Sequence, residues 1–151
     1  MANHDSFVAS WTPRILSILR IIAGFLILQH GLQKVLGMIP PPPRPGQPPF
    51  TTPPLMSLGG ASGLLELIGG ILLIIGLFTR PVAFIMSGLL AVAYFMAHAP
   101  RGFWPILNQG ELAALYSFVF LYLAVAGGGE WSLDRLLGRD RAAAYGARTT
   151  R

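Results

Sequence analysis

Seven side chains able to hydrogen-bond or move protons interrupt otherwise apolar runs: His30, Gln33, Lys34, Glu66, His98, Asn108 and Glu111. Three of them fall in LQHGLQK, residues 28–34, at the end of the oily stretch PRILSILRIIAGFLILQHGLQKVLG. His30 and Lys34 are four positions apart and Gln33 adjoins them, so on a helix the three share a face. Glu66 follows Gly59 and Gly63 and precedes Gly70 along one helical face. Small residues there let a neighbouring backbone approach, and the carboxylate then points into a bundle rather than at lipid.

Imidazoles, an ammonium and carboxylates together can donate, accept and exchange protons. With a tyrosine (Tyr94, Tyr116 or Tyr122), such a set could hold a quinone head group. Two histidines on different helices could also be axial haem ligands. Each has a carboxylate nearby as a competing partner, and haem is the poorer expectation. Zinc fits the ligand types, but no H-x-x-E-H or H-E-x-x-H spacing exists, so no metal site is expected. No Ser-His-Asp pattern, phosphate loop or dinucleotide fingerprint is present. Cysteine is absent, which excludes disulfides, thiolate metal sites and thiol nucleophiles within this chain.

The elements that would position these residues are membrane spans. Only 11% of the 151 residues are charged and 53% are hydrophobic, against about 25% charged in soluble domains. Mean hydropathy is +0.59. The apolar residues come in four blocks of spanning length: about 13–37, 57–78, 81–99 and 109–127. About 20 helical residues cross a hydrocarbon core of roughly 30 Å. The runs are too long, and alternate too little, for barrel strands. The expected fold is an all-α integral membrane four-helix bundle in one domain, residues 1–137. Thr79-Arg80 is expected to link the second and third spans tightly. The proline tract of residues 40–54 should form a stiff polyproline-like strap. After the fourth span, GEWSLDRLLGRD reads as a short amphipathic helix capped by Ser132, with Leu133, Leu136 and Leu137 on the bilayer surface. An Arg-rich tail, 138–151, is expected to be disordered.

Four spans put both termini on one side. That side holds Arg14, Arg20, Arg80, Arg135, Arg139, Arg141, Arg148 and Arg151; the other holds Lys34, Arg44 and Arg101. The positive-inside rule makes the first side cytoplasmic. The net charge of +5 then reads as a tail meeting anionic lipid, not nucleic acid. In this orientation all seven candidates gather in the outer half of the membrane, with Glu66 roughly nine residues, or about 13 Å, in from the outer face. Arg20 is the exception and is expected to snorkel to the inner head groups. Lys34, His30 and His98 are the donors available to Glu66 and Glu111 at matching depth, and a charge in a bilayer normally faces an interior or a wet cavity.

Three stretches, LRIIAGFLILQHGLQKVLG, GLLELIGGILLIIGLFTRPVA and AHAPRGFWPILNQGELAALYSFVFLYLAVAGGGEWSLD, resemble in order and spacing the DoxX family of small bacterial inner-membrane proteins, over residues 14–137. Residues 40–54 look like an insertion in a loop that is usually compact. The resemblance implies a four-helix bundle and a setting in redox physiology, since the family is named from membrane subunits of thiosulfate:quinone oxidoreductase. It implies a soluble or membrane oxidoreductase as partner, and it carries no catalytic residue onto this chain. Two readings of function stay open. One is an accessory membrane subunit of a redox or oxidative-stress system whose outer polar pocket meets a quinone or small ligand. The other is a non-catalytic protein, either binding a lipid or small molecule in a transporter-like way or serving as a pure scaffold. Glycine-rich faces also permit a homo-oligomer.

Overall fold

A computed structural model describes residues 2–43 and 45–139. Arg44 and the tail from residue 140 onward lie outside the described residues. The chain forms α1 (Ala2–Leu36), α2 (Leu58–Ile75), α3 (Thr79–Ala93), α4 (Pro105–Asn108), α5 (Glu111–Ala126) and α6 (Leu133–Leu136), and no strand occurs among the described residues. A π-helical turn, Tyr94–His98, and a 3-10 turn, Ala99–Arg101, continue α3.

Among the described residues, three helical segments are long and apolar enough to cross a membrane: Ser6–Leu36, Leu58–Ile75 and Thr79–Arg101. α5 is apolar but has only 16 residues, about 24 Å of rise. The surface is apolar and the interior partly polar. Phe25, Ile68, Phe84, Phe118 and Val125 are exposed, whereas Ser17, Arg20, Glu66, Thr79, Asn108 and Asp134 are buried. That inversion suits lipid as the surrounding solvent.

The four longer helices form two antiparallel pairs, α1 with α2 and α3 with α5. α2 touches α3 moderately, and α1 meets α5 sparsely. Glycines explain the first pair. A Cβ on Gly31 would lie 2.4 Å from the Leu67 backbone nitrogen, and one on Gly70 would lie 2.9 Å from the Leu28 Cα. Gly24 and Gly63 press on Leu73 and Lys34 in the same way. The apolar core is a narrow strip that includes Ala23, Ile27, Leu73, Met86, Leu90, Phe120 and Leu123.

Several boundaries differ from expectation. α1 begins well before Pro13, which sits inside it. Upstream, Ser10 and Thr12 hydroxyls donate to the Phe7 and Val8 carbonyls at 2.8 Å each, holding polar groups within the helix. The α2–α3 turn is Gly76–Phe78, not Thr79-Arg80. Gly76 adopts the left-handed conformation that ends α2, and its N–H donates to the Leu73 carbonyl at 3.2 Å. Thr79 is already helical. The strap is irregular, as dense proline requires, and it covers the start of α2: the Pro54 carbonyl accepts from the Ser57 N–H at 2.9 Å. The segment after α5 forms one helical turn, α6, which Ser132 does cap by accepting from the Arg135 N–H. It is folded against the bundle, because Asp134 is 7% exposed and bonded to α3.

Arg20 requires a correction. It does not snorkel. It is fully buried, and its guanidinium donates to the carbonyls of Leu73 and Ile74 at the end of α2 and of Gly128 and Trp131 in the following loop. Helix ends leave carbonyls without partners, and inside a bilayer each costs several kcal/mol if unmet. One five-donor fork meets them here. Asp134 does the complementary task, accepting from the Phe78 and Thr79 N–H groups at 2.9 and 2.7 Å at the start of α3. Arg80 donates to the Ala124 and Val125 carbonyls at the end of α5. Arg14 pairs with Glu130 at 3.0 Å.

Candidate functional site

At the opposite end of the bundle from Arg20, a cleft of about 250 Å³ opens between the two helix pairs. Ile27, His30 and Lys34 enter it from α1, and Glu66 from α2. Leu90, Ala93 and His98 come from α3 and its π turn. Gln109 and, on α5, Leu112, Ala113 and Tyr116 close the far side.

Its anchor is an ion pair. Lys34 Nζ donates to Glu66 Oε1 at 2.7 Å and to Ser62 Oγ at 3.3 Å. Gly63 makes this geometry available, since its Cβ, if present, would lie 2.7 Å from the Lys34 Cβ. The lysine stem therefore lies flat on α2 and reaches the carboxylate. Glu66 is 4% exposed, and its second oxygen, Oε2, is buried without a hydrogen-bond partner. A carboxylate oxygen left so is costly and is an acceptor in waiting. Lys34 retains an N–H beyond the two it uses.

His98 is placed by the π turn, a distortion that recurs at functional sites. Its Nδ1 lies 3.1 Å from the Asn108 carbonyl, and its ring stacks with Tyr94 at 6.4 Å. A carbonyl only accepts, so Nδ1 carries a hydrogen, and in the neutral ring Nε2 is then the acceptor. His30 stands at the exposed rim. Tyr116 contributes a phenol beside the apolar wall and stacks on Phe120 at 5.9 Å. The set can donate to one end of a ring-shaped head group, accept from the other, and enclose its body with Ile27, Leu90 and Leu112.

The structure thus brings His30, Lys34, Glu66 and His98 to one cleft and leaves three candidates outside it. Gln33 Nε2 donates to the Ile39 carbonyl at 2.8 Å, tying down the chain beyond α1. Asn108 is 1% exposed and fully engaged, its amide nitrogen on the Gly102 carbonyl and its amide oxygen on the Gly110 N–H, both at 2.8 Å. It shapes the turn that holds His98. Glu111 is exposed in the first turn of α5, where a negative charge suits the helix dipole. Gln109 and Ser62 belong to the site and were not singled out from sequence. Gln109 faces the cleft because it holds a left-handed backbone conformation, φ 61°, between α4 and α5, which pattern alone does not reveal. No group of three or more His, Cys, Asp or Glu able to hold a metal exists among the described residues.

Fold and site together define a helical membrane protein with a polar cleft between two helix pairs. The DoxX family model matches residues 15–99. An uncharacterized protein of Haemophilus influenzae is 42% identical over 127 residues, covering 82% of this chain and 91% of its own. An uncharacterized membrane protein of Mycobacterium tuberculosis is 31% identical over 169 residues, covering 98% and 100%. A second uncharacterized H. influenzae protein is 38% identical over 72 residues, 48% of each chain. No solved structure matches. The chain belongs to the DoxX family.

Proposed function

We propose that this protein is a multi-pass inner-membrane subunit of a bacterial redox system, with both termini in the cytoplasm, and that its cleft receives a quinone head group. One observation carries this reading: Glu66, buried on α2, gives one oxygen to Lys34 and leaves the other unpartnered, and it lines the same cleft as the His98 imidazole. A quinone carbonyl takes a hydrogen bond from Lys34 or Tyr116, and the hydroxyl of the reduced form gives one to His98 or Glu66. The protein's share of the reaction is to bind the ring and exchange its protons; the electrons come from an oxidoreductase partner. The orientation follows from charge. Arg14, Arg80, Arg135 and Arg139 lie at the Arg20 end, and Lys34 and Arg101 at the cleft end.

The test is quinone-linked electron transfer in membranes carrying Glu66→Gln, which keeps shape and removes the charge. The rate should fall about a hundredfold, the lower side of what a lost proton-transfer group costs. An unchanged rate contradicts the redox reading. If the wild-type protein binds the ring without supporting electron transfer, the bundle is a binding or transporter-like protein using the same cleft.

A further inference from the structure

The cleft holds about 250 Å³, below the roughly 300–1,000 Å³ of sites that enclose a whole drug-sized ligand. It suits a head group, so the remainder of any larger ligand lies elsewhere. The structure offers a second hollow, about 330 Å³, lined by Phe7, Val8, Trp11, Thr12, Ile15, Leu16, Leu19 and, from α5, Tyr122. Apart from the Thr12 hydroxyl, which donates to the Val8 carbonyl at 2.8 Å, the Trp11 indole N–H and the Tyr122 phenol, its lining side chains are apolar.

The two hollows share one seam. Each has α1 on one side and α5 on the other, two helices that meet only sparsely. Along α1, Thr12, Leu16, Leu19, Ala23, Ile27, His30 and Lys34 follow one another at steps of three and four, a single helical stripe. The upper end of that stripe is polar and the lower end apolar. Ala23, buried in the core, closes the seam midway. His30 and Leu19 are eleven positions apart on α1, about 16 Å along its axis. A ligand with a hydrogen-bonding ring and a long apolar tail matches this order of surfaces, head in the cleft and tail across the closed waist into the lower hollow.

We propose that the α1–α5 seam is the tail site for a membrane amphiphile, such as a polyprenylated quinone, that enters the cleft sideways from the bilayer. This rests on the head-group reading above and goes further, because it assigns the ligand's tail to particular residues. Lipid acyl chains are as apolar as the hollow, so the gain comes from packing and is modest.

The experiment uses the full chain in nanodiscs and two probes, a tailless benzoquinone and the same ring with a polyprenyl tail, the latter counted as mole fraction in the bilayer. Variants Ile15→Trp and Leu19→Trp fill the lower hollow at exposed positions. The tailed probe should bind wild type about tenfold more tightly than it binds either variant, about 1.4 kcal/mol, while the tailless probe binds all three alike and so shows them folded. Equal binding of the tailed probe to all three proteins overturns the tail site and leaves the head site standing; annular lipid then fills the hollow. Binding of neither probe to wild type overturns both.

Discussion

Lys34 Nζ and Glu66 Oε1 lie 2.7 Å apart, bridging α1 and α2 across the bare backbone of Gly63. The lysine side chain is 29% exposed and the glutamate side chain 6%, so the pair is asymmetric: removing the lysine leaves a largely buried carboxylate without its partner. Lys34→Met should destabilise the protein by roughly 3 kcal/mol, the low end for a broken buried pair because one partner is partly wet. Lys34→Met with Glu66→Leu should recover most of that loss. Thermal unfolding in one detergent, read as a double-mutant cycle, checks both; additive losses would mean that the two side chains do not interact.

The glycines of the α1–α2 junction give a sharper contrast. Gly31→Ala places a methyl 2.4 Å from the backbone of Leu67, and backbone cannot swing aside as a side chain can. The helices must part, at a cost of about 1–3 kcal/mol. Gly88, also helical, has open space where its Cβ would be, so Gly88→Ala should stabilise by up to about 1 kcal/mol through helix propensity. Melting temperatures of the two variants should move in opposite directions. A shared direction would show that the close approach is not real.

Arg20 and Asp134 hold the other end. Arg20→Met leaves the carbonyls of Leu73, Ile74, Gly128 and Trp131 without their shared donor, and the variant should be recovered folded in low yield. Arg20→Lys, with three donors in place of a planar fork, should fall between. Asp134→Ala should cost about 1–2 kcal/mol, as for other lost helix caps, and Asp134→Asn less, because one acceptor oxygen remains. Yield and melting temperature in detergent rank the four, and an Arg20→Met protein as stable as wild type would remove the carbonyl clamp from this account.

Much of this was legible in the sequence, and the failures have physical causes. Three of the four expected spans and the convergence of His30, Lys34, Glu66 and His98 follow from apolar run length, depth and helical spacing. The part played by Arg20 was not legible. A lone arginine near the end of an apolar run looks the same whether it snorkels to head groups or meets carbonyls, and the carbonyls it meets lie more than fifty residues away. Asn108 and Glu111 matched the cleft in depth but not in direction, because the left-handed Gln109 turns the chain between them. Asp134 looked like part of a surface helix, and only the fold of Gly127–Trp131 brings it under α3.

The proposed orientation is open to a direct reading because the chain has no cysteine. Single cysteines placed at Gly46, in the strap, and at Leu137, beyond α6, should differ in intact cells. A membrane-impermeant thiol reagent should label the first and spare the second until the membrane is opened. The reverse pattern would invert the topology and put the cleft on the cytoplasmic side.

The central claim is that the seam between the helix pairs, at the Lys34–Glu66 end, receives the ring of a quinone. A photoreactive quinone crosslinked to the reconstituted protein, with the adducts mapped by mass spectrometry, tests it most directly. The account predicts adducts confined to residues 27–34 on α1, to the neighbourhood of His98, and to residues 109–116, with loss of labelling in Glu66→Gln. Adducts scattered over the lipid-facing belt at Phe84, Phe118 and Val125, and unchanged by that substitution, would contradict it.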